Sequence, residues 1–308
     1  MLRSGPESSL SRAARDAVAD ALASLGCEHI KFKSGSIHFE VRGEKIQLAE
    51  AMLPDWVPSV TAPVDVERLI IAMSDVTGLP VPRAIASDLG LVQARLYPRV
   101  VTREAFAGPD RAMCRREIGT DLFAAVWIAV GGQGLWLTTA ELDKWPIDFE
   151  EALVLARENL ERVIDTGSLN EISDGHGVYA VLAEGVDLAG AMIDLPSFFA
   201  DDFKTGGHGA LASAPAPGTL LLLPVRAGGG AEGVASIVQI SDMLRDDRLP
   251  DELPRRLYWA RPTISAGLLG YTLEMLPVII IHEGGSRRAH VDASDDVQML
   301  LQVLGEID

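Results

Sequence analysis

Apolar residues along the chain change their spacing several times, and each change marks an element. In "SRAARDAVADALASLG", Ala14, Val18, Ala21, Leu22 and Leu25 recur at helical spacing, and Gly26 stands where a helix would stop. "HIKFKSGSIHFEV" alternates instead around Ser34-Gly35, which predicts a hairpin, and "RGEKIQL" adds a turn and a third strand. Residues 47–78 read mostly as helix, punctuated by Pro54, Pro58 and Pro63, with "DVERLIIAMSDV" the clearest stretch. A strand is expected near residues 94–101, followed by the polar, turn-rich "TREAFAGPDRAMCRREIG".

The best-organised stretch is "GTDLFAAVWIAVGGQGLWLTTAELDKW", residues 119–145. Residues 122–130 are continuously apolar and rich in strand formers, residues 135–137 give a short second strand, and Thr139 with Glu141 opens a short helix. A longer helix follows in "DFEEALVLARENLERVI". Phe149, Leu153, Ala156, Leu160 and Val163 align along it, with Asp148, Glu150 and Glu151 early and Arg157 and Arg162 late, as the helix dipole favours. Residues 218–244, "GTLLLLPVRAGGGAEGVASIVQISDML", return to a similar succession of apolar strand, glycine-rich turn, apolar segment and polar helix start, which suggests a repeated hairpin-helix unit. Between the two, "GVYAVLAEG" reads as a strand and "MIDLPSFFADDF" as a helix beginning at Pro196. "RRLYWARP" and "EMLPVIIIHEGG" read as strands, and "ASDDVQMLLQVLGEI" as a closing helix capped by Ser294. Strands mixed irregularly with helices predict an α+β fold with mixed or antiparallel sheets and packed helices. The turn-rich segment places a boundary near residue 110, between an N-terminal α+β subdomain (1–110) and a C-terminal one (111–308).

Composition narrows the function classes. With 308 residues, 48% of them hydrophobic, the chain can bury a sizeable core. Its 44 acidic residues against 27 basic ones, a formal charge of -17, count against nucleic acid or an anionic membrane as partner. Cys27 and Cys114 form no CxxC and fit a reducing cytosol. A leader ahead of Cys27 is not expected, because Arg12, Arg15, Asp16 and Asp20 break the apolar region it needs. The best candidate span, residues 267–285, is interrupted by Glu274 and Pro277, so no membrane helix is expected either. A cytoplasmic protein is the expectation.

The candidate chemistry centres on two glycine runs. Gly131 to Gly134, "GGQG", lacks the GxGxxG spacing and any following GK[ST], and the strand-like "LWL" after it predicts a hairpin turn. Gly228, Gly230 and Gly233 do fit GxGxxG after the strand "TLLLLPVRA", and could hold a nucleotide or phosphorylated ligand. A flexible hairpin turn is the favoured reading and the ligand its rival; a helix directly after Gly233 would favour the ligand and a strand the hairpin. Arg261 stands at the end of the next strand, where an acidic residue would usually hold a ribose, and little chain remains for further βαβ units. The six histidines are scattered, and neither His38 with Glu40 nor His282 with Glu283 completes a known metal-ligand spacing, so no metal or cofactor is expected. Cys114 beside Arg115 and Arg116 would have a lowered thiol pKa if all three converged, with a buried structural cysteine as the alternative. Arg116, Glu117 and Asp121 before the central strand, and Asp143, Lys144 and Asp148 after the short helix, could line a charged pocket or form a solvated rim. Trp127, Trp136 and Trp145 read as core residues.

The succession "LYPRVV", "REIGTDLFAAVWIAV", "LWLTTAELDKWPIDFEEALVLARENLERV", "GTLLLLPVR" and "RRLYWARP" resembles the YtpQ-like family of uncharacterised bacterial proteins over roughly residues 45–280. Its most specific part is Thr139 through Leu160. After "LPVR" such proteins tend to carry an acidic residue and return to strand, whereas this chain has Ala227 and a glycine-rich insertion, which removes support for a shared role of Arg226. The resemblance implies a soluble intracellular α+β protein and brings no catalytic residues. The expected function is a non-enzymatic binding or adaptor protein that offers a sheet edge or apolar groove to a protein partner. A small-molecule enzyme using residues 228–233 is the alternative, and self-association is compatible with both.

Overall fold

A computed structural model describes residues 10–33, 35–57, 63–103, 112–119, 121–131, 134–164, 169–173, 175–184, 186–195, 208–228, 231–244, 256–265, 268–276, 278–283, 286–291 and 295–305. In chain order the elements are α1 (Arg12–Ser24), β1 (Glu28–Lys33), β2 (Ser36–Val41), β3 (Glu44–Ala49), α2 (Pro63–Thr77), α3 (Arg83–Ala86) and α4 (Leu89–Val92). The strands β4 (Leu96–Thr102), β5 (Arg115–Gly119), β6 (Leu122–Ile128) and β7 (Leu135–Trp136) follow, then the helices α5 (Thr139–Leu142) and α6 (Phe149–Val163). Next come β8 (Asn170–Glu171), β9 (Tyr179–Leu182), β10 (Ala210–Ala216), β11 (Thr219–Pro224) and α7 (Glu232–Leu244). The chain closes with β12 (Tyr258–Ser265), β13 (Leu268–Met275), β14 (Val278–Glu283), β15 (Ser286–Val291) and α8 (Asp295–Leu304). The fold is α+β. Among the described residues no helix is long and apolar enough to cross a membrane.

The chain divides into two compact units, and the division is not linear. The first unit holds residues 1–96 and 127–148; the second holds 97–126 and 149–308. The expected boundary near residue 110 falls in 104–111, outside the described residues.

In the first unit the amphipathic periodicity of α1 is realised with Ala14, Val18, Ala21 and Leu22 buried. Ser11 caps the helix by accepting the Ala14 amide at 3.1 Å. α1 packs on α2 and β1, and β1, β2 and β3 form an antiparallel meander. Residues 44–49 are the third strand expected in "RGEKIQL", and it runs on through 47–49, at the start of the stretch expected to be mostly helix; residues 50–52 form a 3₁₀ turn. α2 is buried through its middle, from Leu69 to Ser74. The GGQG segment joins β6 to β7, whose pairing sets Trp127 against Trp136 at 4.7 Å between ring centroids.

The second unit is built on the larger sheet, with strand order β4-β6-β5-β13-β12-β10-β11-β9-β8. Its described pairings are antiparallel except between β13 and β5, which meet in parallel at Leu273 and Gly119. Residues 115–119 are thus a strand, although their polarity suggests turns; three of the five side chains are exposed. The four consecutive leucines of β11 are explained by burial on both faces. Leu220 and Leu222 face a core shared with Leu160, Leu188, Tyr258 and Leu273. Leu221 and Leu223 face the opposite core, shared with Trp259, Ile237 of α7 and Leu300 of α8. Buried burdens on both sides would each be worth roughly 1.5–3 kcal/mol per large apolar side chain. The expected helix starting at Pro196 and the cap at Ser294 lie outside the described residues.

Candidate functional site

The first glycine run is a structural latch. Gly131 has φ +65°, and a Cβ there would lie 2.1 Å from Ser74 Oγ and 2.6 Å from the Leu79 carbonyl oxygen. Its amide donates to Asp75 Oδ1 at 3.0 Å. The other oxygen of Asp75 pairs with Arg95 at 2.7 Å, and Arg95 also donates to the Ala129 carbonyl at 3.3 Å. The turn is thereby tied to the C-terminal end of α2, and its amide is already spent on a carboxylate. A Cβ at Gly134 would meet the Trp127 ring at 2.3 Å, so close packing fixes that residue too.

The second run corrects one expectation. It is not a hairpin turn: β11 ends at Pro224 and α7 begins at Glu232, with Gly233 in the first helical turn, the outcome that on this point favours a ligand over a hairpin. The two glycine-run segments therefore share a strand, a glycine turn and a helix, but only the first has a second strand between turn and helix. Gly228, at φ +69°, donates its amide to the Val303 carbonyl at 2.9 Å. At Gly233 a Cβ would lie 2.8 Å from the His176 carbonyl oxygen and 3.0 Å from a Leu223 methyl. Gly230 lies outside the described residues. His176, Leu223, Arg226 and Gly233 line a cavity of about 180 Å³ beside the helix start. That is smaller than the roughly 300–1,000 Å³ usual for small-molecule sites. Glu232 in the first turn places a carboxylate 3.6 Å from His176 Nδ1, where an anion would otherwise sit. β11 also has antiparallel neighbours on both sides, β10 and β9, unlike a parallel dinucleotide-binding sheet. Turn geometry and close helix-to-strand packing account for Gly228 and Gly233.

The charged cluster is divided. Arg116 pairs with Glu150, and Asp121, in the β5–β6 turn at φ +58°, pairs with Arg103 at 2.7 Å. Arg116 and Glu117 line a cavity of about 280 Å³ with Ile118, Met192 and Leu273; Asp121 does not. Asp143, Lys144 and Asp148 belong to the first unit, where Lys144 Nζ donates to Ser87 Oγ at 3.0 Å. Cys114 is buried, while the Arg115 guanidinium lies 5.9 Å from the Phe123 ring centroid and Arg116 is held by Glu150. Among the described residues no group of three His, Cys, Asp or Glu is placed to hold a metal ion.

Among the described residues two titrating groups are displaced. Burial pushes the Cys27 thiol up to about 11. At Glu141, burial pushes the carboxyl up, but the hydroxyl and amide of Thr138 and the guanidinium of Arg83 outweigh it and hold the group below its ordinary range. Arg83 lies 3.1 Å from Glu141 Oε1, and the Thr138 amide donates to Oε2 at 3.1 Å, which closes the start of α5. The reach from Glu141 back to Thr138 makes this group a structural cap.

A further cavity among the described residues, about 520 Å³ and larger than the two above, is in the first unit. One stripe of α2 forms its wall: Arg68, Ile71, Ala72, Asp75 and Val76, at i, i+3, i+4, i+7 and i+8. Pro54 and Trp56 from the loop before α2, Leu91 of α4, and Arg95 complete it. Ile71 and Ala72 are buried and form the floor, while Trp56 keeps 38% of its surface exposed. The stripe itself is legible in "DVERLIIAMSDV". The loop that turns it into a groove is not, because Pro54 and Trp56 reach α2 only through the tertiary fold. No protein family, no curated protein and no solved structure matches the chain.

Proposed function

We propose that this protein acts by binding a protein partner rather than by catalysis, and that the groove on α2 receives an apolar side chain of that partner. The observation that carries this reading is the composition of the groove: an exposed tryptophan over a floor of Ile71 and Ala72, in a cavity of about 520 Å³. Buried-centre aromatic anchors and apolar pockets of this kind dominate the energetics of protein interfaces.

Trp56→Ala tests the reading. Affinity capture from the native cytosol with wild-type bait is expected to retain a near-stoichiometric partner, and Trp56→Ala bait with an unchanged unfolding midpoint is expected to lose it. Equal retention by both baits would remove the groove from the function.

A further inference from the structure

We infer, resting on the reading of the groove as a partner site, that its occupant is an acidic peptide segment carrying an apolar anchor and a carboxylate on the same side. Charge on the groove wall supplies the argument. Three charged side chains line it, Arg68, Asp75 and Arg95. Asp75 and Arg95 neutralise each other at 2.7 Å and are further committed to the Gly131 amide and the Ala129 carbonyl. Arg68 is exposed and has no ion-pair partner among the described residues. Among the described residues the groove thus presents one positive charge without an ion-pair partner, on a chain whose formal charge is -17.

The position of Arg68 on α2 specifies the spacing. It lies one helical turn before Ile71 and Ala72, so its Cβ is about 5–6 Å from theirs. An occupant must fill the apolar floor and bring a carboxylate within about that distance. In an extended segment, side chains two positions apart point to the same side at about 6.5–7 Å, which meets the requirement. A lysine at that position would meet Arg68 as a like charge and be disfavoured. An arginine suits a planar carboxylate, to which it can donate two hydrogen bonds.

The test uses the full chain and three acetylated, amidated pentapeptides: Gly-Phe-Gly-Glu-Gly and its Gln and Lys counterparts at the fourth position. Binding is read from the indole N–H resonance of Trp56, identified by its loss in Trp56→Phe. The Glu peptide is expected to bind about two- to fivefold more tightly than the Gln peptide, and the Lys peptide most weakly. In Arg68→Glu the order is expected to reverse, and in Arg68→Gln, which retains much of the stem, it is expected to collapse to near equality. Added salt should shrink the advantage of the Glu peptide. Equal affinities for the three peptides, or an unchanged order in Arg68→Glu, overturn the acidic occupant and leave the groove reading standing. Absence of any shift with all three overturns both. A fourth titration with 3-phenylpropionate separates a peptide from a free carboxylate: tighter binding of that small acid than of the Glu peptide overturns the peptide assignment.

Discussion

Glu141 shows how a buried carboxylate serves the fold at the level of one side chain. Its two oxygens are shared between Arg83 and the amide and hydroxyl of Thr138. Because its folded-state pKa lies below the ordinary 4.5, the stabilisation is complete above that pH and is lost as pH falls through the folded value. Glu141→Gln is therefore expected to lower stability at pH 7 by about 1–3 kcal/mol and to flatten the acid limb, as urea midpoints at pH 7 and pH 3.5 would reveal. Cys27 has the opposite sense. With its thiol raised from 9.0 to about 11, stability should fall as pH rises between those values. At pH 8 its thiolate population is about a hundredfold smaller than that of an unperturbed thiol, so iodoacetamide should label Cys27 slowly until denaturant is added. Gly131 is constrained by geometry alone. Gly131→Ala should cost about 2–3 kcal/mol, since positive φ and the fixed Leu79 carbonyl both oppose a side chain. A chemical denaturation curve of that variant measures it.

Among the elements, α7 decides between propensity and packing. Alanine normally stabilises a helix by about 1 kcal/mol over glycine. At Gly233, however, a Cβ would press on the His176 carbonyl and Leu223, and Gly233, Val234, Ile237 and Val238 form the buried face of the helix. Gly233→Ala is accordingly expected to lower the unfolding midpoint, with a loss of about 1–3 kcal/mol. A rise in the midpoint would show that the helix can give way there. The residues of this helix mislead a reader of sequence because the apolar spacing of 234–244 is compatible with either a strand or a helix in short windows. What separates them is the face of β10 and β11 against which the segment must pack. α2 carries the same lesson in another form: its periodic stripe is visible, but periodicity cannot say whether a stripe meets a core or a groove.

At the scale of the whole molecule, the first unit takes residues 127–148 from beyond a long intervening segment. Those residues supply Glu141 to Arg83 and Gly131 to Asp75. A fragment of residues 1–110 lacks them and is expected to show no cooperative thermal unfolding, in contrast to the full chain. Calorimetry of the fragment and of the full chain makes the comparison. The sequence by itself determined the α+β class, the amphipathic helices α1 and α6, the meander of β1 to β3 and the hairpin at Gly131, because each rests on local periodicity, a cap or a turn residue. Only the tertiary structure decided that two sequence-distant segments share a unit, that β5 is a strand despite its polar residues, and that Gly233 belongs to a helix. It also decided where the groove lies. Those outcomes depend on which surfaces meet after the chain closes on itself, and the partners that select them stand tens of residues away.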